Sequence, residues 1–255
     1  MRIVTEKTQL EDGQIFRRKR DMRKMLNLNI LNLLEKAQKT DTDMPVLLCN
    51  TRIYPDFLAL YNQPGTYHKT RLTAVCFYSY DYTFDGINGL YNAIYYNDRR
   101  LLAKYKERFQ DVKYFISPDY SVFADLYEPE NQIRLWKAQI VSLWLALELH
   151  AITIPSATYI SESTFPKYFD GLEQCSVIAF STKGHIRYAR ERNLLKAAVK
   201  HAVDHLPLRT ILVYSVCGKD ETSLRLFKYA TDKGINVVIP NNILRERHME
   251  RCGDS

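Results

Sequence analysis

The chain has no C-x-x-C pair. Its five cysteines, Cys49, Cys76, Cys175, Cys217 and Cys252, are odd in number and far apart, which argues against a zinc knot, a dithiol redox centre or a disulfide-stapled miniprotein. Cys49, Cys76 and Cys217 lie in or just after apolar runs and read as reduced, buried thiols of a cytosolic protein. No run approaches the ~20 apolar residues of a bilayer span. The polar, partly acidic residues 1–13 do not read as a secretory signal, so a cytoplasmic chain with no membrane partner is expected. Glycine and proline, nine each, are too few for collagen-like repeats. The usual short catalytic signatures, a Walker loop included, do not occur.

What remains is a globular composition: 255 residues, 46% hydrophobic and 25% charged, enough for one substantial core. The formal charge is +7. Much of the excess sits in Arg17, Arg18, Lys19, Arg20, Arg23 and Lys24 and in a tail around Arg245, Arg247 and Arg251. Such clusters attract polyanions, nucleic acid foremost, although a solvated arm that aids solubility would look the same.

The hydrophobic pattern divides the chain into a basic arm with an amphipathic helix (1–44), one α/β domain (45–243) and a basic tail (244–255). Met22, Met25, Leu26, Ile30, Leu33 and Leu34 are spaced for a helix over 21–39. Strands are expected at 46–49, 74–78, 113–116, 151–154, 176–180, 210–214 and 235–239, with helices at 87–109, 130–149, 166–172, 188–206 and 221–233. Strand and helix alternating some seven times implies parallel strands joined by crossover helices. A TIM-like barrel, incomplete or decorated in its N-terminal part, fits the count better than an open doubly wound sheet.

Parallel folds bind ligands at the carboxyl ends of their strands, so the polar residues after each apolar run are the candidates. They are Asn50 and Arg52, Ser79 and Asp81, Ser117 and Asp119, Ser156, Ser161 and Glu162, Ser181 to Gly184, Tyr214 and Ser215, and Asn241. Asp119, set beyond a strand by Pro118, could bind a metal, orient a cation or act as a base, or could simply cap its turn. Ser181, Thr182, Lys183 and Gly184 offer hydroxyls, backbone N–H groups and an ammonium to a phosphate, and could equally be an ordinary lead-in to a helix. His185 and Glu162 complete a candidate acid/base set with Asp119. Asp81 and Asp85, with Asp119 and Glu162, could hold a divalent metal of the kind phosphoester chemistry uses, with Asp81 and Asp119 as first choices. His201 and His205 lack a third ligand. Many of the eighteen tyrosines flank basic residues, as in Tyr95-Tyr96 before Arg99-Arg100 and Arg187-Tyr188, a composition suited to stacking on unpaired bases and also common in half-buried surfaces.

One set of residues, taken in order, is more specific: Pro118-Asp119-Tyr120-Ser121, Asp125, Pro129, Gln132, Ile154-Pro155, Phe169-Asp170-Gly171, Ser181-Thr182-Lys183-Gly184 and Tyr214. Through these, the stretch from about 113 to 217 resembles the bacterial and phage family catalogued as domain of unknown function 4417. The resemblance implies a cytosolic protein often carried by mobile elements, and no established activity. Two positions depart from the pattern: Tyr159 stands where a tryptophan is expected, and Ser215 where a glycine is expected.

The resulting expectation is a phosphate-recognising α/β protein that binds or acts on nucleic acid or a nucleotide, with the Arg17–Lys24 arm as an electrostatic tether. If it is an enzyme, phosphoester or nucleotide chemistry fits best. The alternative is a non-catalytic interaction protein that binds a host or replication protein.

Overall fold

A computed structural model of the chain describes residues 30–253. The chain is a mixed α/β structure whose strands are all parallel. A short helix α1 (Leu31–Leu34) leads to β1 (Phe57–Leu60) and β2 (Thr73–Cys76), then α2 (Leu90–Tyr96), α3 (Arg99–Arg108) and β3 (Tyr114–Ile116). There follow α4 (Glu128–Glu148), β4 (Ile152–Ile154), α5 (Phe165–Tyr168), β5 (Val177–Ser181), α6 (Ala189–His205) and β6 (Thr210–Tyr214). The last elements are α7 (Asp220–Leu226), α8 (Lys228–Asp232), β7 (Asn236–Val238) and α9 (Ile243–Gly253).

The strands form two sheets, ordered β1-β2-β3-β4 and β5-β6-β7. Two short junctions link them. Past β4, Ser156 pairs in parallel with Ala179 of β5, whose N–H donates to Pro155 O at 2.7 Å and whose carbonyl accepts from Ala157 N at 2.8 Å. Past β7, Asn241 pairs with Phe57, its carbonyl accepting from Leu58 N at 2.8 Å and its N–H donating to Asp56 O at 2.9 Å. All carboxyl ends therefore point the same way.

Local chemistry explains the boundaries. Helix α4 opens with Pro129 in its first turn and with Glu128 and Glu130 at its positive end. Asp98 caps α3 by accepting from Leu101 N at 3.0 Å. At α6, Glu191 reaches back to accept from Tyr188 N at 3.0 Å, and Pro207 follows the helix. Every residue of β1, β2, β3, β5 and β6 is buried, as expected of parallel strands covered on both faces, whereas β7 is half-exposed. One apolar cluster runs through both sheets, from Leu58 and Val75 through Phe115 and Ile154 to Ile178 and Leu212. Gly171 is required: its φ is +86°, and a Cβ there would stand 2.6 Å from Pro45 O.

Several expectations are corrected. Residues 46–49 are not a strand; burial alternates along them, Leu48 is 64% exposed, and Cys49 makes only an isolated bridge to Cys175. The sequence reading missed β1, whose Phe-Leu-Ala-Leu run has no β-branched residue to mark it. The helix expected at 87–109 is two helices, because Asn97 adopts a left-handed φ of +52° and closes α2. The one expected at 221–233 is α7 and α8. The amphipathic helix expected at 21–39 is only α1 within the described residues, and the arm of Arg17, Arg18, Lys19, Arg20, Arg23 and Lys24 lies outside them. The basic tail expected from 244 is helix α9, in which Arg245 is 8% exposed, ion-paired with Asp220 and hydrogen-bonded to Ile239 O. Four cysteines, Cys49, Cys76, Cys175 and Cys217, are buried free thiols. Among the described residues no helix is long and apolar enough to cross a membrane.

Candidate functional site at the carboxyl ends of the strands

Alternation along each strand decides which strand-end side chains can meet. Ser117, the first residue past β3, turns outward, and its hydroxyl accepts from Ser142 of α4 at 2.7 Å. Ser215, past β6, likewise pairs with Ser223 of α7 at 2.7 Å. Asn50 and Arg52 belong to the other end of the molecule, since Asn50 donates to Gln174 O and its carbonyl accepts from Arg209, both beside the starts of β5 and β6.

The side chains that do converge come from five strand ends. Tyr78, past β2, packs at a tilt against Tyr214 of β6 with ring centroids 4.9 Å apart, and its hydroxyl lies 3.0 Å from Ser156 Oγ past β4. Lys183, past β5, is exposed and donates from Nζ to the Tyr78 carbonyl at 2.8 Å. Asp119, past β3, completes the group; its charge acts on both Tyr78 and Tyr159, and Asp81 and Lys183 act on it in turn.

This environment strongly perturbs Asp119. Burial pushes its carboxyl up to about 7, and the nearby negative charge of Asp81 adds to the rise; the Thr158 hydroxyl and the Lys183 ammonium only partly oppose it. Near neutral pH this carboxyl can therefore both give and take a proton. Burial also raises the Tyr78, Tyr159 and Tyr214 phenols, so all three are neutral hydroxyls. The hydroxyls of Tyr159 and Tyr214 are buried and have no hydrogen-bond partner among the described residues. A buried polar group left unmatched costs free energy, and one of the two, Tyr159, is acted on by the charge of Asp119.

The remaining sequence candidates fall as follows. Ser181 Oγ accepts from Lys183 N at 3.1 Å. Thr182 is fully buried; its hydroxyl accepts from Val216 N at 3.0 Å and is committed to the backbone. Gly184 takes a φ of +80° and faces open space. The 181–184 turn does not lead directly into a helix, since α6 begins only at Ala189. His185 is half-buried, its ring 5.2 Å from Tyr159, and burial lowers its imidazole. Glu162 is exposed on the 3₁₀ turn Glu162–Thr164 and is not among the groups acting on Asp119. Asp81 is committed to the loops: it accepts from Arg134 Nη1 at 2.7 Å and from both the N–H and the hydroxyl of Ser121. Asp85 is bound by Lys137 at 2.7 Å. Among the described residues no three His, Cys, Asp or Glu side chains are grouped to hold a metal. Tyr78 and Thr158 are not among the sequence candidates, and Tyr159 enters there only as a departure from the family pattern; a tyrosine directly following the apolar run of β2 is the available signal.

A family model described as Domain of unknown function (DUF4417) matches residues 37–241. The chain belongs to this family. The DUF4417 match begins before β1 and ends past β7, so it takes in all seven strands and every converging residue above, from Tyr78 to Tyr214. The resemblance carried by residues 113–217 thus extends over most of the chain. The Arg17–Lys24 arm and helix α9 lie beyond the match. No curated protein matches the chain.

Proposed function

We propose that this DUF4417 protein recognises phosphate at the carboxyl ends of its strands and binds, or acts on, nucleic acid or a nucleotide there. The observation that carries this reading is the meeting of an exposed lysine, Lys183, with a desolvated carboxyl, Asp119, next to Tyr159, whose buried hydroxyl has no hydrogen-bond partner among the described residues. Lys183 spends one N–H on Tyr78 O and keeps others for an anionic oxygen. Gly184, with open space beside it, lets a ligand approach the backbone. Protonated Asp119 would donate to a phosphate oxygen, and ionised Asp119 would take a proton from a hydroxyl or water. It is the residue through which phosphoester or nucleotide chemistry would run, with His185 the nearer of the two other acid/base candidates.

The two sheets fit a TIM-like barrel of seven strands, closed by the Ser156–Ala179 and Phe57–Asn241 junctions. In such a barrel the carboxyl-end mouth is where ligands bind. The Arg17–Lys24 arm would add a salt-sensitive, sequence-independent attraction for polyanions.

Thermal unfolding of the full chain tests this reading with nucleotides and short oligonucleotides at two salt concentrations. A ligand of the native state raises the Tm. A phosphorylated ligand is expected to do so in the parent, and far less in Lys183→Ala. No shift with any phosphorylated probe, even at low salt, would sink the reading and leave the alternative of a protein-binding module.

A further inference from the structure

Beside the proposed phosphate site, the turn after β2 carries two tyrosines that the fold does not need. Tyr80 is 71% exposed and Tyr82 is 80% exposed, yet their rings lie nearly parallel, 12° apart with centroids separated by 5.7 Å. Exposed aromatic rings normally lie on mobile or loosely held surface, but this turn is tied down along its length. Thr83 N–H donates to Tyr80 O at 2.9 Å, the Thr83 hydroxyl donates to the same carbonyl at 2.7 Å, and it lies 2.8 Å from Ser79 Oγ. Asp81, between the two rings in sequence, is clamped by Arg134 of α4 and by Ser121. Asp85, at the end of the turn, is held by Lys137.

These anchors do two things. They order the rings before any partner arrives, which lowers the entropy cost of binding on them. They also pair the carboxylates of the turn with cations, and a further cation, Lys183, faces the rings with its Nζ 5.9 Å from the Tyr80 centroid. The segment carrying Lys183 runs on to an exposed Arg187 lying over the Tyr188 ring. Flat aromatic faces next to a cation match the two parts of a nucleotide, since every base has a π-face and every phosphate a charge.

We propose that Tyr80 and Tyr82 form a stacking platform for an unpaired base whose phosphate is held at Lys183, so that the ligand of the site is single-stranded nucleic acid. The inference rests on the phosphate reading above and narrows it. A duplex keeps its bases stacked inside and offers such rings no free face, whereas a single strand can splay one onto them. Tyrosine also suits protein interfaces, but the neighbouring lysine and the net charge of +7 favour the polyanion.

The test uses the full chain and fluorescently labelled probes of equal length: a mixed-sequence single strand, the same strand with abasic sites, and a blunt hairpin duplex. The parent is expected to bind the single strand at least several-fold more tightly than the abasic strand or the duplex. Tyr82→Ala should lose about tenfold in affinity for the single strand. It should bind the abasic strand as the parent does and keep its Tm, since the ring is exposed. Tyr82→Phe, which keeps the ring, should bind like the parent. If Tyr82→Ala binds the single strand as tightly as the parent, or the abasic strand binds equally well, the platform is refuted. Should Lys183→Ala still weaken binding of every probe in that case, the phosphate reading stands alone. If no probe binds the parent, the platform fails, and the phosphate reading is then decided by the nucleotide arm of the thermal test.

Discussion

The two ends of the parallel strands differ in how far their polar groups are matched. At the amino ends several are paired within the protein. Thr210 donates to the Tyr54 hydroxyl at 2.8 Å, Arg209 to Ser176 Oγ at 2.8 Å, Thr73 Oγ1 accepts from Thr70 N at 2.9 Å, and Lys69 pairs with Glu246 at 2.7 Å. At the carboxyl ends, beside matched groups such as Ser117 and Ser215, a carboxyl is desolvated, two phenols have no partner among the described residues and two tyrosine rings are exposed. Burial without compensation is destabilising, so the first end contributes to stability and the second detracts from it.

The largest expected consequence is in the pH dependence of stability. The Asp119 carboxyl keeps its proton in the native state up to about pH 7, whereas the unfolded chain loses it near the ordinary carboxylate value. Between those values the native state binds the extra proton. Stability from this group is therefore fully present below about pH 4, falls as pH rises to about 7 and is level above that. The cost amounts to a few kcal/mol, and urea midpoints across this range should show the slope in the parent and lose it in Asp119→Asn. His185 works the other way: its lowered imidazole makes stability rise with pH through the histidine range, so the difference between parent and variant is the quantity to read.

Next in size is a contrast between ends. Thr210 is buried and hydrogen-bonded at an amino end, so Thr210→Val, which strands the Tyr54 hydroxyl, should cost roughly 1–2 kcal/mol in urea unfolding. At the carboxyl end Tyr159→Phe removes a hydroxyl that bonds to nothing and should leave stability unchanged or raise it by up to about 1 kcal/mol. A loss as large as that of Thr210→Val would break the comparison. Smallest of all, Lys183→Ala removes an exposed side chain with a single hydrogen bond, and its Tm should stay within a few degrees of the parent while the ligand-induced shift is lost.

Much of this arrangement could be read from the residues. Short β-branched or aromatic runs bounded by proline or glycine, such as Thr210–Tyr214 and Ala151–Ile154, mark buried parallel strands, and the polar residues after them include Asp119, Ser156, Lys183 and Tyr214. Where the reading failed, tertiary context decided. Val46–Cys49 is as apolar as a strand but packs beside the start of β5 with one face in solvent. Phe57–Leu60 is a strand because neighbours pair with it on both sides, not because its residues prefer extended backbone. Sequence order could not tell that Ser117 and Ser215 turn toward helices while Tyr78 and Tyr214 turn toward one another. Nor could it tell that Asp81 is committed to Arg134, a partner 53 residues away.

The most direct test of the claim that the carboxyl ends serve a ligand at the expense of the fold is one pair of readings on one variant. Asp119→Asn should be prepared alongside the parent at pH 8, with urea unfolding and single-strand affinity measured on the same samples. The account predicts a variant more stable than the parent, because an uncharged group replaces a desolvated carboxylate, and tighter in binding at this pH, because the amide removes a negative charge beside the phosphate and can donate to it. A variant that is less stable than the parent would contradict it, and would make Asp119 a structural cap rather than the centre of a site.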